Sequence, residues 1–296
     1  MSTQPIRSIQ RVGIIGAGLM GSGIAQVSAQ AGLAVVMIDV ADATLQRGLA
    51  TISGSLDRLV KKNKISVADK DATLARITAS TDYAALADVD LVIETATENL
   101  AIKFKILQQV EGIVREGAVI ATNTSSISIT QLAAVLKQPA RFIGVHFFNP
   151  VPMMALVELI RGLQTSDDAH SRCMAYVQAV GKTPIIVKNA PGFVVNRILC
   201  PMLNEAVFAL HEGLATAEEI DTGMKLGCNQ PIGPLALADL VGLDTLLAVM
   251  NVFYEGFNDP KYRPAPLLKE MVAAGWLGRK SGRGFYQYAQ SAGASL

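Results

Sequence analysis

Cysteine, histidine and tryptophan are scarce here: three, three and one in 296 residues. Cys173, Cys200 and Cys228 are odd in number and show no Cys-x-x-Cys spacing. That excludes a disulfide framework and a thiolate metal site, suits a reducing compartment, and leaves no metal expected. Each reads as a small core residue. Charge is also thin, at 17% of residues with a net +1. Without a basic excess to neutralise phosphates, no nucleic-acid partner is expected. From position 12 to 38 the chain has no charged residue at all. By length such a run would cross a membrane. Six glycines with Ser22, Gln26, Ser28 and Gln30 interrupt it, so no membrane span is expected. The opening MSTQPIRSIQ is too short and polar for a signal peptide and too short for a transit peptide, so a cytoplasmic protein is expected. What the chain does have is apolar residues, half of the total. They are ample for a large core in one or two domains.

The uncharged run has a pattern. Arg11 to Ile15 reads as a buried parallel strand that enters Gly16-Ala-Gly18-Leu19-Met20-Gly21. Residues 22–31 read as a helix ended by Gly32, and residues 33–38 as a second strand closed by Asp39. Glycines at this spacing also serve plain turns. Strand, glycine turn, helix, strand and acid in that order specify a dinucleotide-binding unit. Gly16 permits the tight turn, Gly18 the approach of a pyrophosphate, and Gly21 close packing of helix on strand. Leu19 and Met20 belong to the same loop. N–H groups at the helix start face the phosphates. Asp39 lies 23 residues past Gly16 and can accept hydrogen bonds from the adenosine ribose. Val-Ala-Asp follows it, with no arginine for a 2′-phosphate, so NAD is expected over NADP.

Strands and helices continue to alternate. Residues 44–75 are helical in character, interrupted by Lys61, Lys62 and Lys64. That cluster reads either as a solvated helix end or as a clamp for an anionic handle. Residues 90–94, 118–122 and 141–145 read as further strands. Glu94, Glu98 and Ser125 lie at carboxyl ends of strands, where open parallel sheets bind ligands. The two acids could equally be surface groups, and Ser126 can cap the next helix. Residues 183–188 read as a last strand and residues 189–192 as a hinge. Thereafter only helical spacing remains. Residues 235–250 are apolar almost all round except for Asp239 and Asp244, so that helix is buried in a core or against a second subunit. The expected fold is α/β, a Rossmann-type doubly wound, mostly parallel sheet over residues 1–188. A smaller all-α domain over residues 189–296 follows.

His146 stands out among the three histidines. It follows the apolar run FIGV, and two prolines then stop a strand from continuing. Glu158 comes twelve residues later inside a second apolar run, ALVELI. A histidine at a strand end with a carboxylate partner suits a general base, since imidazole ordinarily titrates near ~6.5. An isolated histidine is otherwise a satisfied structural residue, the reading kept for His170 and His211.

GAGLMGSGIAQ, ETATENLAIK, TNTSSISIT, HFFNPVPMMALVELI, KNAPGFVVNRIL, GCNQPIGPLALADLVGLDT and GWLGRKSGRGFY together resemble the 3-hydroxyacyl-CoA dehydrogenases of fatty-acid and butanoate metabolism. The resemblance runs from about Arg11 to Tyr288. The length is similar to that of the stand-alone bacterial 3-hydroxybutyryl-CoA dehydrogenases. What the resemblance implies is a catalytic base at His146 with Glu158 as its paired carboxylate, and substrate contacts at Ser125 and Asn196. It implies NAD contacts at Asp39, Glu98, Lys103, Ser125, Asn149 and Lys280. It implies coenzyme A contacts at Ser55, Lys62 and Ser125, which turns the lysine cluster toward function. It also implies the S-enantiomer as substrate and a homodimer formed through the all-α domain. Thr97 departs from the apolar residue expected before Glu-Asn. Two other functions remain to be weighed: a hydroxyacid or sugar-acid dehydrogenase whose substrate lacks coenzyme A, and a catalytically idle protein that senses NADH.

Overall fold

The computed structural model describes residues 8–288. Most of the stretch read for a targeting signal, and the Ser/Gly/Ala tail, lie outside them. The chain divides into two compact units between Ala190 and Pro191, two residues later than the sequence boundary. Asn189 belongs with the first unit. Its Oδ1 accepts from the Ile129 amide at 2.9 Å and its Nδ2 donates to Ser128 Oγ at 2.9 Å.

The first unit is built on an eight-stranded sheet. In chain order its strands are β1 (Arg11–Ile15), β2 (Ala34–Ile38), β3 (Ile77–Ser80), β4 (Leu91–Glu94), β5 (Val119–Thr122), β6 (Phe142–Phe147), β7 (Leu156–Arg161) and β8 (Thr183–Lys188). Their spatial order is β3-β2-β1-β4-β5-β6-β7-β8. Pairing is parallel throughout except between β6 and β7. The helices are α1 (Leu19–Gln30), α2 (Asp42–Lys61), α3 (Val67–Ala75), α4 (Leu100–Glu111), α5 (Ile129–Ala133) and α6 (Asp167–Ala179). The inner strands are near-continuous apolar runs because both faces are covered. Ile14, Met37, Ile93, Ala121, Val145 and Leu159 are all fully buried. Chain order reverses between β1 and β4, which is where open α/β sheets leave a crevice for ligands.

The helical stretch from residue 44 to 75 is two helices, parted at the lysine cluster. Asn63 has φ 52°, and Ser66 starts α3 with a reciprocal capping box to Asp69. The cap of α5 is Ser128, whose hydroxyl accepts from the Gln131 amide; Ser126 does not cap it. β3 went unread because ITAS is a half-buried edge strand without an apolar run. Cys173 and Cys200 are buried, which pushes both thiols up to about 12, but Cys228 is exposed.

The second unit is helical: α7 (Val195–His211), α8 (Ala217–Gly227), α9 (Pro234–Val241), α10 (Leu243–Phe257) and α11 (Pro266–Ala273). Its core gathers Leu203, Val207, Leu235, Leu246, Met250 and Phe253. The single helix expected over residues 235–250 is instead α9 and α10, bent by 96°. Gly242 makes the break at φ 100°, a conformation that side-chain-bearing residues rarely adopt. The pair is apolar enough to cross a membrane by length and composition, but Leu235, Ala238, Leu243, Leu246, Met250 and Phe253 from it are buried in this core. Among the described residues no single helix is long and apolar enough to span one. The two aspartates that interrupted the apolar pattern have partners. Asp239 is buried and accepts from the Phe285 and Tyr286 amides and the Tyr288 hydroxyl. Asp244 pairs with Lys280.

Candidate active site

The glycine turn lies at the carboxyl end of β1. A Cβ on Gly21 would overlap the Gly16 carbonyl and meet Thr95 Oγ1 at 2.8 Å, so no larger residue fits where α1 meets the sheet. Gly18 faces the opposite situation: a Cβ there would meet no protein atom within 4 Å. Gly18 is also the N-cap of α1 and offers no side-chain acceptor, and the first turn holds no acid. Open space therefore lies ahead of amide N–H groups and the positive end of a helix dipole. Asp39 ends β2 beside this turn, with Oδ2 accepting from the Ala17 amide at 2.8 Å and Oδ1 from the Val40 amide at 2.8 Å. Its carboxylate is thus aimed and still has acceptor capacity for ribose hydroxyls. These residues fit a nicotinamide dinucleotide.

His146 sits within β6, not after it. The strand runs on to Phe147, whose amide donates to Asn123 Oδ1 at 2.8 Å. After the cis peptide between Asn149 and Pro150 the chain turns and returns as β7, antiparallel, with His146 directly opposite Glu158. Opposed residues of an antiparallel pair share a face, so two residues twelve apart become neighbours. His146 Nδ1 lies 2.7 Å from Glu158 Oε2. Glu158 is fully buried and His146 nearly so. The Phe148 ring packs on the imidazole, with centroids 4.5 Å apart. A buried carboxylate on Nδ1 fixes a proton there and presents Nε2 for chemistry.

The loops after β4 and β5 are tied together. Glu98 Oε2 accepts from the Thr124 hydroxyl at 2.7 Å, and its Oε1 from the Ser125 amide at 3.1 Å. Thr97, the departure from the expected apolar residue, accepts from the Asn99 amide through Oγ1 at 3.0 Å. Asn99 in turn caps α4. Lys103 is placed differently from the other residues expected at the cofactor. Its Nζ is buried, 2.5 Å from Glu94 Oε2 and 3.2 Å from Thr122 Oγ1.

A cavity of about 540 Å³ opens between α1, α2 and the loop after β6. Ser55, Lys62, Asn149 and Leu19 all line it. So do Arg58 and Lys64. Arg58 escaped sequence reasoning because one basic residue inside a helix carries no signal; its spacing with Ser55 and Lys62 on one helical face was the clue available. The hydrogen bonds of Asn123 and Thr122 were likewise not foreseen, whereas Glu94 reads in the sequence as a strand-end acid. In the helical unit, Asn196 occupies the first turn of α7. Lys280 lies in the turn at residues 279–281, its Nζ 2.6 Å from Asp244 Oδ2. His170 is half-buried on α6, where burial lowers its pKa. His211 is exposed at the end of α7. Among the described residues no cluster of His, Cys, Asp and Glu could hold a metal ion.

Comparison with known proteins places this arrangement. Residues 11–190 match the model of the 3-hydroxyacyl-CoA dehydrogenase NAD binding domain. Residues 192–288 match that of the 3-hydroxyacyl-CoA dehydrogenase C-terminal domain. The chain is 51% identical over 280 residues to a 3-hydroxybutyryl-CoA dehydrogenase of Bradyrhizobium diazoefficiens, covering 95% of this chain and 96% of the relative. It is 46% identical to one from Clostridioides difficile, covering 94% and 99%. The crystal structure of (S)-3-hydroxybutyryl-CoA dehydrogenase from Ralstonia eutropha superposes with a TM-score of 0.94 at 65% identity, covering 96% of this chain and all of that one. The chain belongs to the 3-hydroxyacyl-CoA dehydrogenases, a family of NAD-dependent oxidoreductases.

Proposed function

We propose that this enzyme interconverts (S)-3-hydroxybutyryl-CoA and acetoacetyl-CoA, with His146 as general base and acid and Glu158 as its orienting carboxylate. The observation that carries the chemistry is the buried 2.7 Å contact between His146 Nδ1 and Glu158 Oε2. Bound NAD supplies the hydride acceptor for alcohol oxidation and, once reduced, the donor for the reverse reaction. The protein must handle the proton. His146 Nε2 removes the proton of the 3-hydroxyl as the alcohol carbon is oxidised. Glu158 favours the imidazolium that forms, and in the reverse direction His146 returns the proton to the 3-oxygen. Ser125 and Asn196 hold the 3-oxygen and thioester in register for this transfer. Glu98, Ser125, Asn149, Lys103 and Lys280 belong to the cofactor's surroundings in this reading.

The names of the relatives support a short acyl-CoA, and the cavity beside α2 supports the coenzyme A part. Ser55 and Lys62 line it together with Arg58 and Lys64, a basic rim suited to the nucleotide phosphates. Rates of NADH oxidation with acetoacetyl-CoA and with free acetoacetate test the substrate class. The thioester is expected to react with far higher kcat/KM. Equal values would favour a hydroxyacid dehydrogenase, and no turnover with either would favour an idle NADH sensor.

Lys62→Ala is expected to raise the KM for acetoacetyl-CoA about two- to fivefold, in a salt-dependent way, because exposed ion pairs contribute ~0.2–1 kcal/mol. The KM for NADH should not move. A KM for acetoacetyl-CoA that stays at the wild-type value at low salt would remove Lys62 from the site.

NAD is preferred over NADP in this reading, because the Asp39 carboxylate would repel a 2′-phosphate. Asp39→Ser is expected to raise the KM for NADH about tenfold or more, as a hydrogen bond to a charged group contributes ~1.5–3 kcal/mol. The KM for NADPH should fall or stay level, narrowing the gap. A NADH to NADPH ratio equal to that of the wild type would contradict the assignment.

Dimerisation through the helical unit is supported by Ile198, Leu226, Leu240 and Val241. These large apolar residues are exposed in a single copy. A cytoplasmic location accords with the chain's reduced-cysteine composition.

A further inference from the structure

The loop between β6 and β7 forms one wall of the cavity beside α2, through the residues from Asn149 to Met153. Contacts from two elements hold it. The first is α1. A Cβ on Gly23 would stand 2.7 Å from Val151 Cβ, so helix and loop pack as closely as a glycine allows. The second is Lys182, just past the end of α6. Its Nζ donates to the Val151 carbonyl at 2.8 Å and to the Met154 carbonyl at 2.8 Å. The lysine is itself anchored. Gly181 takes φ 74° and donates to the Gln178 carbonyl, and the Lys182 amide donates to the Val177 carbonyl at 3.0 Å. This is a Schellman end to α6, and it fixes the base of the lysine side chain. The turn that the ammonium group reaches is closed by the Pro150 carbonyl, which accepts from the Met153 and Met154 amides.

A lysine just past a helix end ordinarily extends its ammonium group into water. Lys182 is half-buried instead, and burial lowers its pKa. A charge drawn out of water must recover its hydration from other acceptors. Both acceptors here are backbone carbonyls of the turn that lines the cavity. We propose that Lys182 is a positioning residue for substrate binding. It clamps the loop between β6 and β7 against α1, and so sets the cavity wall that Asn149, Val151 and Met153 form. This rests on the reading that the cavity takes the coenzyme A part of the substrate. The facing of His146 and Glu158 is set separately, by the ladder of β6 and β7.

The test is a pair of variants on the full chain and their combination, read by steady-state kinetics with acetoacetyl-CoA and by amide hydrogen exchange of residues 149–155. Lys182→Met keeps the stem and removes the donors. The KM for acetoacetyl-CoA is expected to rise about fivefold or more, because small misplacements of site residues cost up to ~10²-fold. The kcat should stay within about threefold of wild type, since binding and chemistry are held by different contacts. Exchange of the Met153 and Met154 amides should quicken. Gly23→Ala pushes the same loop from the α1 side and should raise the same KM. The double variant should be no worse than the weaker-binding single, because both act on one loop. A KM that stays at the wild-type value in Lys182→Met, whatever happens to its melting temperature, would make the lysine merely structural and overturn the proposal. A double variant whose KM rises by the product of the two single effects would overturn the clamp as well. If Lys182→Met does not fold, Lys182→Gln keeps a donor on a shorter stem and should still raise the KM; an unchanged KM there would count against the proposal. Acetoacetyl-CoA left unreacted by the wild type, with quickened exchange in Lys182→Met, would instead sink the proposed substrate and keep the clamp.

Discussion

Replacing His146 with glutamine is expected to lower kcat for acetoacetyl-CoA reduction by about 10²–10⁴-fold, the range that positioned acid–base groups supply. NADH affinity should be unchanged. Glutamine is chosen because its amide can still donate to Glu158, so the buried carboxylate keeps a hydrogen bond. Alanine would leave that carboxylate without one beside a cavity, and a loss of activity could then be a loss of fold. In the proposed mechanism the imidazole has two tasks that an amide cannot share: Nδ1 holds a proton against Glu158 while Nε2 exchanges one with the substrate. A variant that keeps near-native kcat would mean that His146 is a packed structural residue.

The second large effect concerns Glu158. Glu158→Gln keeps the volume of a side chain that is fully buried between β6 and β8, so the fold should survive. An amide, however, can donate to Nδ1 as readily as accept from it. The ring then adopts either tautomer, and the imidazolium formed during oxidation loses its counter-charge. A fall in kcat of roughly 10²–10⁴-fold is expected, comparable to loss of the orienting carboxylate in a hydrolase triad. Near-UV circular dichroism and NADH affinity should match the wild type. An unchanged kcat from pH 6 to 8, a window of about one unit either side of neutrality, would remove the orienting role.

Much of this site could be read from the chain, for identifiable reasons. The order of strand, glycine turn, helix, strand and acid is local, so Gly16 to Asp39 announced a cofactor crevice without any tertiary information. The pairing of His146 with Glu158 was only a suspicion in sequence. It depends on β7 returning antiparallel in a register that sets 146 against 158, and a slip of one residue would send the two side chains to opposite faces. Lys103 shows the limit most clearly: nothing local in the sequence says that Glu94 and Thr122 lie against its ammonium group. Those partners come from the neighbouring strand ends, whose adjacency follows from sheet order. The break at Gly242 was hidden for a related reason: an apolar run reads as one helix, and the turn depends on a backbone conformation that composition does not display.

The question that matters most is whether His146 and Glu158 work as one unit, and a double variant answers it. If Glu158 acts only through the imidazole, His146→Gln with Glu158→Gln should turn over acetoacetyl-CoA no more slowly than His146→Gln alone, because residues acting as a unit are non-additive. A double variant slower by the product of the two single losses would contradict that, and would give Glu158 a role that does not pass through His146.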